Sequence, residues 1–229
     1  MATRILPGDP DIAVTLRRSS RARRMTLRVG RVDGAVTLTL PPRVPEAEGL
    51  EFARARENWL RGHLSGIAAR VTPAFGTAIP LEGRMVTLMP GPVRAPRLDG
   101  GVLILPDDAD RIAPRLVAFL RMRARERLAA ACDRHAAALG RGYGRITLRD
   151  TRSRWGSCSS RGDLMFSWRL ILAPPEILDY VAAHEVAHLA HMDHSPAFWA
   201  ACARLYPDWR AARDWLRRHG GELHALRFD

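Results

Sequence analysis

The sequence is organised around the stretch His184-Glu185-Val186-Ala187-His188, which His194 follows six residues later. Residues four apart lie one turn along the same face of a helix, so the imidazoles of His184 and His188 can bind one metal ion together. The carboxylate of Glu185 is then close enough to take a proton from a water on that metal. This spacing predicts the centre of a zinc-dependent hydrolase.

The third metal ligand has two candidates. On a continuing helix His191 would lie roughly 10.5 Å beyond His184 along the axis, too far to share one ion with both other histidines at about 2.1 Å. His194 directly precedes Ser195-Pro196, a typical helix start, so the chain has turned there. We therefore expect His184, His188 and His194 to bind Zn²⁺ and to leave a fourth position for water, as catalytic sites do.

Other polar residues near the motif are alternatives. His191 could support a ligand or face the substrate, and Asp193 could supply an oxygen ligand or orient an imidazole. Cys158 could be a thiolate ligand, although isolated cysteines are more often buried apolar residues. The alternative without a metal is a pair of hydrogen-bonded core histidines. The apolar flanks of the motif count against it, because burying imidazoles and a carboxylate without a partner costs several kcal/mol.

The composition combines a globular apolar content with a strong positive charge. The 229 residues are 47% hydrophobic and carry a formal net charge of +12. All 36 basic residues are Arg, and the chain has no Lys, no Gln and one Asn, which is typical of GC-rich codon usage. The arginines of 17–31 have two interpretations: the solvated face of an antiparallel sheet, which we favour, and a surface that makes weak contact with nucleic acid.

We expect a cytoplasmic protein that does not contact a membrane. No apolar stretch approaches the roughly 18 residues that span a bilayer. Residues 1–11 are rich in Pro, Gly and Asp where a signal peptide needs an apolar segment. The three cysteines are far apart and form no Cys-x-x-Cys pair, which fits a reducing compartment.

Periodicity divides the chain into two parts at Pro106. Alternation of apolar and polar residues predicts strands over 12–18, 25–29 and 35–40, with a turn at Arg31-Val32-Asp33-Gly34. Residues 46–70 have a helical pattern with Leu50, Ala53, Trp59, Leu60 and Leu64 near one face, and strands are expected over 84–89 and 101–105. Residues 1–105 are therefore expected to form a β-rich domain with one helix, and residues 106–229 a zincin-like metallopeptidase domain.

The second part mixes helices with short strands. Its pattern predicts a helix over 110–139 ended by Gly140, a strand over 145–149, an extended run over 163–172, the metal-binding helix over 176–191, a helix from Ser195-Pro196 and a last helix over 207–219. The fold class is α+β, in which a zinc-binding helix lies beside a short antiparallel sheet. In zinc proteases with a His-Glu-x-x-His helix the substrate commonly lies extended beside a strand near that helix. Residues 163–172 are the candidate for this strand.

The segment Arg152-Ser153-Arg154-Trp155-Gly156-Ser157-Cys158-Ser159-Ser160 has two interpretations. It is a tight turn that packs Trp155 into the core, or it is a surface beside the metal. In the second case Arg154, Trp155 and Ser157 are candidates for substrate binding.

These motifs together resemble one family. The likeness rests on Trp155-Gly156-Ser157-Cys158-Ser159, Gly162, Pro174, Tyr180-Val181, His184-Glu185-x-x-His188 and His194-Ser195-x-x-Phe198-Trp199. The chain resembles the bacterial YgjP-like metallopeptidases, relatives of the SprT and Spartan zinc proteases, and the likeness extends to the strands around 12–40 and to Trp59. The resemblance implies zinc on His184, His188 and His194, with Glu185 as catalytic acid and base. Asp193 departs from the Asn that such sequences usually have.

Three functions compete. The first is a peptidase acting on a protein or peptide. The second is a metal-dependent nucleotide phosphohydrolase, although the chain lacks the Gly-x-x-x-x-Gly-Lys phosphate loop. The third is a nucleic-acid-associated protein with a structural zinc, for which a general base such as Glu185 would have no use. A protease recruited to nucleic acid by its arginines combines the first and third.

Overall fold

The computed structural model describes residues 2–30, 33–65 and 70–228 and has an α+β fold. The chain divides into two compact units, Met1–Ala69 and Arg70–Asp229. The expected boundary at Pro106 therefore lies inside the second unit. The reason is that the strands preceding Pro106 bury Leu88 and Leu103 in the same hydrophobic core as Leu116 of the long helix that follows.

The first unit is a four-stranded sheet with two helices. Its elements are β1 (Ala2–Leu6), β2 (Ile12–Arg18), β3 (Thr26–Val29), β4 (Val36–Leu40), α1 (Glu46–Arg54) and α2 (Glu57–Ser65). The strand order is β1-β2-β4-β3, and the β2–β4 pair is parallel, so the sheet is mixed and not antiparallel. Alternate residues of β2, Ile12, Val14 and Leu16, are buried, as its period of two predicts.

Two expectations for the first unit change. The single helix expected over 46–70 is two helices, and residues 66–69 lie outside the described part of the chain. Trp59 does not share the buried face of Leu60, because its side chain is 43% exposed. Of the expected turn, Arg31 and Val32 lie outside the described residues.

The second unit begins with another mixed sheet. It contains β5 (Ala78–Leu81), β6 (Arg84–Gly91), β7 (Arg97–Asp99) and β8 (Val102–Pro106) in the order β5-β6-β8-β7. After a short 3₁₀ turn, α3 (Ile112–Leu139) follows and ends at Gly140 with a φ of 70°, a left-handed conformation that glycine adopts without strain.

A three-stranded sheet supports the motif helix. It contains β9 (Ile146–Arg149), β10 (Gly156–Cys158) and β11 (Leu164–Ser167) in the order β10-β11-β9. The β10–β11 pair is antiparallel as expected, but β9 pairs with β11 in parallel. The extended run expected over 163–172 is extended only in β11, and Trp168–Leu172 forms a 3₁₀ helix with all five side chains buried.

Three helices complete the second unit. They are α4 (Pro175–Ala187), α5 (Pro196–Leu205) and α6 (Trp209–His219), followed by a 3₁₀ turn over Glu222–His224. The expected start of α5 is confirmed: the Ser195 hydroxyl accepts a hydrogen bond from the Phe198 backbone N–H at 3.4 Å, and Pro196 is the first helical residue. Within the described ranges, no helix is long and apolar enough to cross a membrane.

Candidate metal centre

Three imidazoles converge at the end of α4. One ring nitrogen from each of His184, His188 and His194 lies within 4.8 Å of the other two. The Nε2 atoms of His184 and His194 are 3.2 Å apart. Two nitrogens that bind one tetrahedral Zn²⁺ at about 2.1 Å lie roughly 3.4 Å apart, so this spacing fits two ligands of one ion.

The chain reaches this geometry by ending α4 early. His188 is the C-terminal cap of α4, and the backbone N–H groups of Leu189, Ala190 and His191 close tight turns onto Val186 and Ala187. The chain then reverses before Ser195 begins α5. This reversal brings His194 back to face His184, whereas a continued helix would have carried it away.

The hydrogen bond of the His188 ring leaves its other nitrogen free for a ligand. His188 Nδ1 lies 3.0 Å from the backbone oxygen of His191, which can only accept, so Nδ1 carries the proton and Nε2 keeps its lone pair. A single hydrogen bond between His184 and His194 would satisfy two of the three converging nitrogens, but a metal ion satisfies all three. The donor set therefore fits a divalent metal that prefers imidazole.

Burial keeps the imidazoles of His184 and His188 neutral. Burial, together with the neighbouring His188 and His194, lowers the pKa of His184 to about 3. Burial also lowers the pKa of His188, against the hydrogen bond to the His191 carbonyl, which raises it. Neutral imidazole is the form that binds metals, so these two rings need no deprotonation near neutral pH.

Aromatic side chains of α5 form the base of the centre. The Phe198 ring lies 4.9 Å from that of His184, 4.4 Å from that of His188 and 4.8 Å from that of His194, measured between centroids. Trp199 stacks on His194 at 5.7 Å. These contacts restrict the rotamers of the histidines and exclude water from one side. The spacing of the histidines does not point to Phe198, although this residue belongs to the motif His194-Ser195-x-x-Phe198-Trp199.

Glu185 points to the opposite strand. Its side chain is 5% exposed, and burial raises the pKa of the carboxyl to about 8, while the positive charge of Arg154 lowers it. A Cβ on Gly156 of β10 would lie 2.4 Å from Glu185 Oε1 and 2.7 Å from its Cδ. The missing side chain of Gly156 is therefore what lets the strand lie against the carboxylate. Sequence reasoning missed this role, because the two residues are far apart in the chain.

The candidate substrate residues have different environments. Arg154 is exposed near Glu185. Ser157 is half-buried on β10. Trp155 packs its ring 5.2 Å from that of His224, and Trp155 Cζ2 would lie 3.0 Å from a Cβ on Gly220. That packing corresponds to the tight-turn interpretation of the segment.

The strand expected to bind substrate has no free edge. β11 lies between β10 and β9 and pairs with both. The edge strand beside α4 is β10. Trp155 O and Ser159 N bond towards β11, so by the alternation of antiparallel strands the N–H and C=O groups of Gly156 and Cys158 point to the open edge.

The alternative ligands lie outside the cluster. The group of three side chains in the described residues that could hold a metal ion does not include Cys158, Asp193 or His191. The carboxylate of Asp193 accepts a hydrogen bond from the Ser195 backbone N–H at 3.2 Å, and His191 acts through its backbone oxygen. Burial raises the pKa of Cys158 to about 11, which keeps it a thiol.

Comparison with known proteins gives one family and one structural likeness. The YgjP-like metallopeptidase domain model matches residues 23–219. No curated protein matches the chain. The crystal structure of the metallopeptidase zymogen of Pyrococcus abyssi abylysin is 19% identical with a TM-score of 0.37, covering 39% of this chain and 90% of that chain. The family match covers most of the sequence, including all three converging histidines, so the chain is a metallopeptidase that belongs to the YgjP-like family.

Proposed function

We propose that the chain is a zinc-dependent peptidase that hydrolyses peptide bonds, with His184, His188 and His194 as zinc ligands and Glu185 as general base. The observation that carries the proposal is the position of Glu185. It is buried on α4, in sequence between His184 and His188, and the missing side chain of Gly156 leaves room for its carboxylate against β10.

Glu185 supplies the proton transfer. The chemistry that a bound zinc supplies is polarisation of the scissile carbonyl and a lowered pKa for water. Glu185 accepts the proton from the attacking water and passes it to the leaving amine. A carboxyl group can perform both steps, because it accepts a proton as the carboxylate and releases it as the acid.

The open edge of β10 holds the substrate. An extended peptide pairs with the outward N–H and C=O groups of Gly156 and Cys158, next to Glu185. Backbone pairing of this kind does not depend on the substrate side chains. The side chains of Arg154 and Ser157 then contribute specificity. Trp155 holds the segment 152–160 in place by packing against His224.

The test is Glu185→Gln, which keeps the shape of the side chain and removes the base. Zinc content and folding should stay unchanged, and hydrolysis of a casein-like substrate should fall by about 10²–10⁴. The matched control is Glu176→Gln in the first turn of the same helix, where the side chain is exposed and full activity is expected. Nucleoside triphosphates are assayed in parallel, with and without a chelator. Chelator-sensitive release of phosphate without peptide cleavage would replace the peptidase by the phosphohydrolase.

A further inference from the structure

The first unit carries a groove of about 840 Å³ that is lined by basic side chains and by no acidic ones. It is lined by Arg23 and Arg24 from the loop before β3, and by Phe52, Arg56 and Trp59 from the α1–α2 region. None of the ten lining residues is acidic. The groove therefore has a positive potential with aromatic walls.

The arginines of the groove are not neutralised by neighbouring carboxylates. Among the described residues neither Arg23 nor Arg24 forms a salt bridge, and both are exposed. Elsewhere in the unit Arg61 pairs with Glu57 at 2.7 Å, and Arg4 pairs with Glu46. Unpaired arginines are common in the described part of this unit, and those of the groove differ in lying beside aromatic side chains. Their guanidinium groups are available to an anion such as a phosphate.

The aromatic residues offer flat surfaces beside these charges. Trp59 is 43% exposed and lies 4.2 Å from the ring of His63, between centroids. The Arg56 guanidinium lies 3.7 Å from the centre of the Phe52 ring and donates a hydrogen bond to the Phe52 backbone oxygen at 3.2 Å. A large exposed indole is unfavourable in water, whereas a nucleobase can stack on it.

We propose that this groove binds single-stranded nucleic acid, with phosphates on Arg23 and Arg24 and a base stacked on Trp59. An acidic peptide would match the charge but would not use the rings. A duplex would present its phosphates but keep its bases stacked within the helix, so it would not reach Trp59. The site lies in the first unit and is independent of the peptidase proposal.

The experiment is a fluorescence-anisotropy titration of the full-length chain with a labelled oligothymidine of about 15 nucleotides, a length within the range of single-strand binding sites. Trp59→Ala should weaken binding about tenfold, because one stacked base is lost. Arg23→Ala/Arg24→Ala should reduce the steepness of the log–log salt dependence by about 1.4, which corresponds to two single-strand phosphate contacts. The matched control is Arg111→Ala/Arg141→Ala, which removes the same charge from exposed positions in the second unit.

Three outcomes would overturn the proposal. The first is equal binding by Trp59→Ala and the wild type at about 150 mM salt, which leaves charge alone as the cause. The second is an equal reduction in the steepness of the salt dependence in the Arg111→Ala/Arg141→Ala control. The third is a duplex of the same length, or polyglutamate, that binds as tightly as the single strand. Circular dichroism of each variant shows whether it is folded. If Trp59→Ala is not folded, the comparison of single strand, duplex and polyglutamate binding by the wild type decides.

Discussion

Gly156 of β10 and Glu185 of α4 are in contact: a Cβ on Gly156 would overlap the Glu185 carboxylate, at 2.4 Å from Oε1. The base that the sequence motif supplies therefore depends on a residue of the neighbouring strand. A side chain at position 156 would have to displace the Glu185 carboxylate. The structure thus connects the zinc motif to the segment around Trp155, which the sequence left with two interpretations.

Gly156→Ala tests this contact. The added methyl group should displace the Glu185 carboxylate, and a misplacement of about 1 Å can lower kcat by about 10²-fold. Zinc content should be unchanged, because the three atoms nearest to the new methyl group all belong to Glu185 and none to a ligand. The matched control is Gly142→Ala, since a Cβ there meets no atom within 4 Å. Full activity in Gly156→Ala would show that Glu185 tolerates the displacement and is not positioned by β10.

The ligand assignment predicts different results for two histidines. His194→Ala should lose most of its zinc, because only His184 and His188 remain to bind it. His191→Ala should retain zinc, since His191 contributes its backbone oxygen to His188 and not its ring. Elemental analysis of the purified variants measures both. Full zinc in His194→Ala together with loss in His191→Ala would reverse the assignment.

Arg169 is predicted to be a main structural contact of the second unit. It is buried, donates to both Asp150 oxygens at 2.7 and 3.0 Å, and donates to the carbonyl oxygens of Leu223 and Leu226 at 3.1 and 2.9 Å. Arg169→Ala leaves these acceptors without their donor and should lower the free energy of unfolding by about 3 kcal/mol. Chemical denaturation of Arg169→Ala and of the wild type measures this difference in the free energy of unfolding.

The control for Arg169 is Arg161→Ala, an exposed arginine whose loss should change stability by at most about 0.5 kcal/mol. Equal denaturation midpoints for the two variants would contradict the structural role. Because the C-terminal turn that Arg169 holds also packs His224 against Trp155, proteolysis near the C-terminus should increase in Arg169→Ala and not in the control.

Local patterns predicted the parts of the fold that local geometry controls. The spacing of His184 and His188 fixes their common face on a helix whatever surrounds it. Ser195 and Pro196 start α5, and Gly140 ends α3, for reasons contained in their own backbones. The alternation in β2 likewise identified its buried residues.

Pairing between distant segments was beyond those patterns. An apolar run cannot tell whether it will be an edge or a central strand, so the run over 163–172 was expected to bind substrate, although β11 has neighbours on both sides. Helical periodicity placed Trp59 with Leu60, but its side chain is largely exposed. The proline at 106 is a local break, and it could not show that the strands before it share a core with α3.

The sequence by itself determined the chemistry of this protein: two imidazoles and a carboxylate on one helix, and a third imidazole before a new helix start. Only the tertiary structure decided how that chemistry is arranged. It decided that His194 turns back to His184, that Gly156 lies against Glu185 and that β10 is the open edge. The physical reason is range, because helix periodicity and capping act within a few residues, whereas strand order and close backbone contact depend on the packing of the whole core.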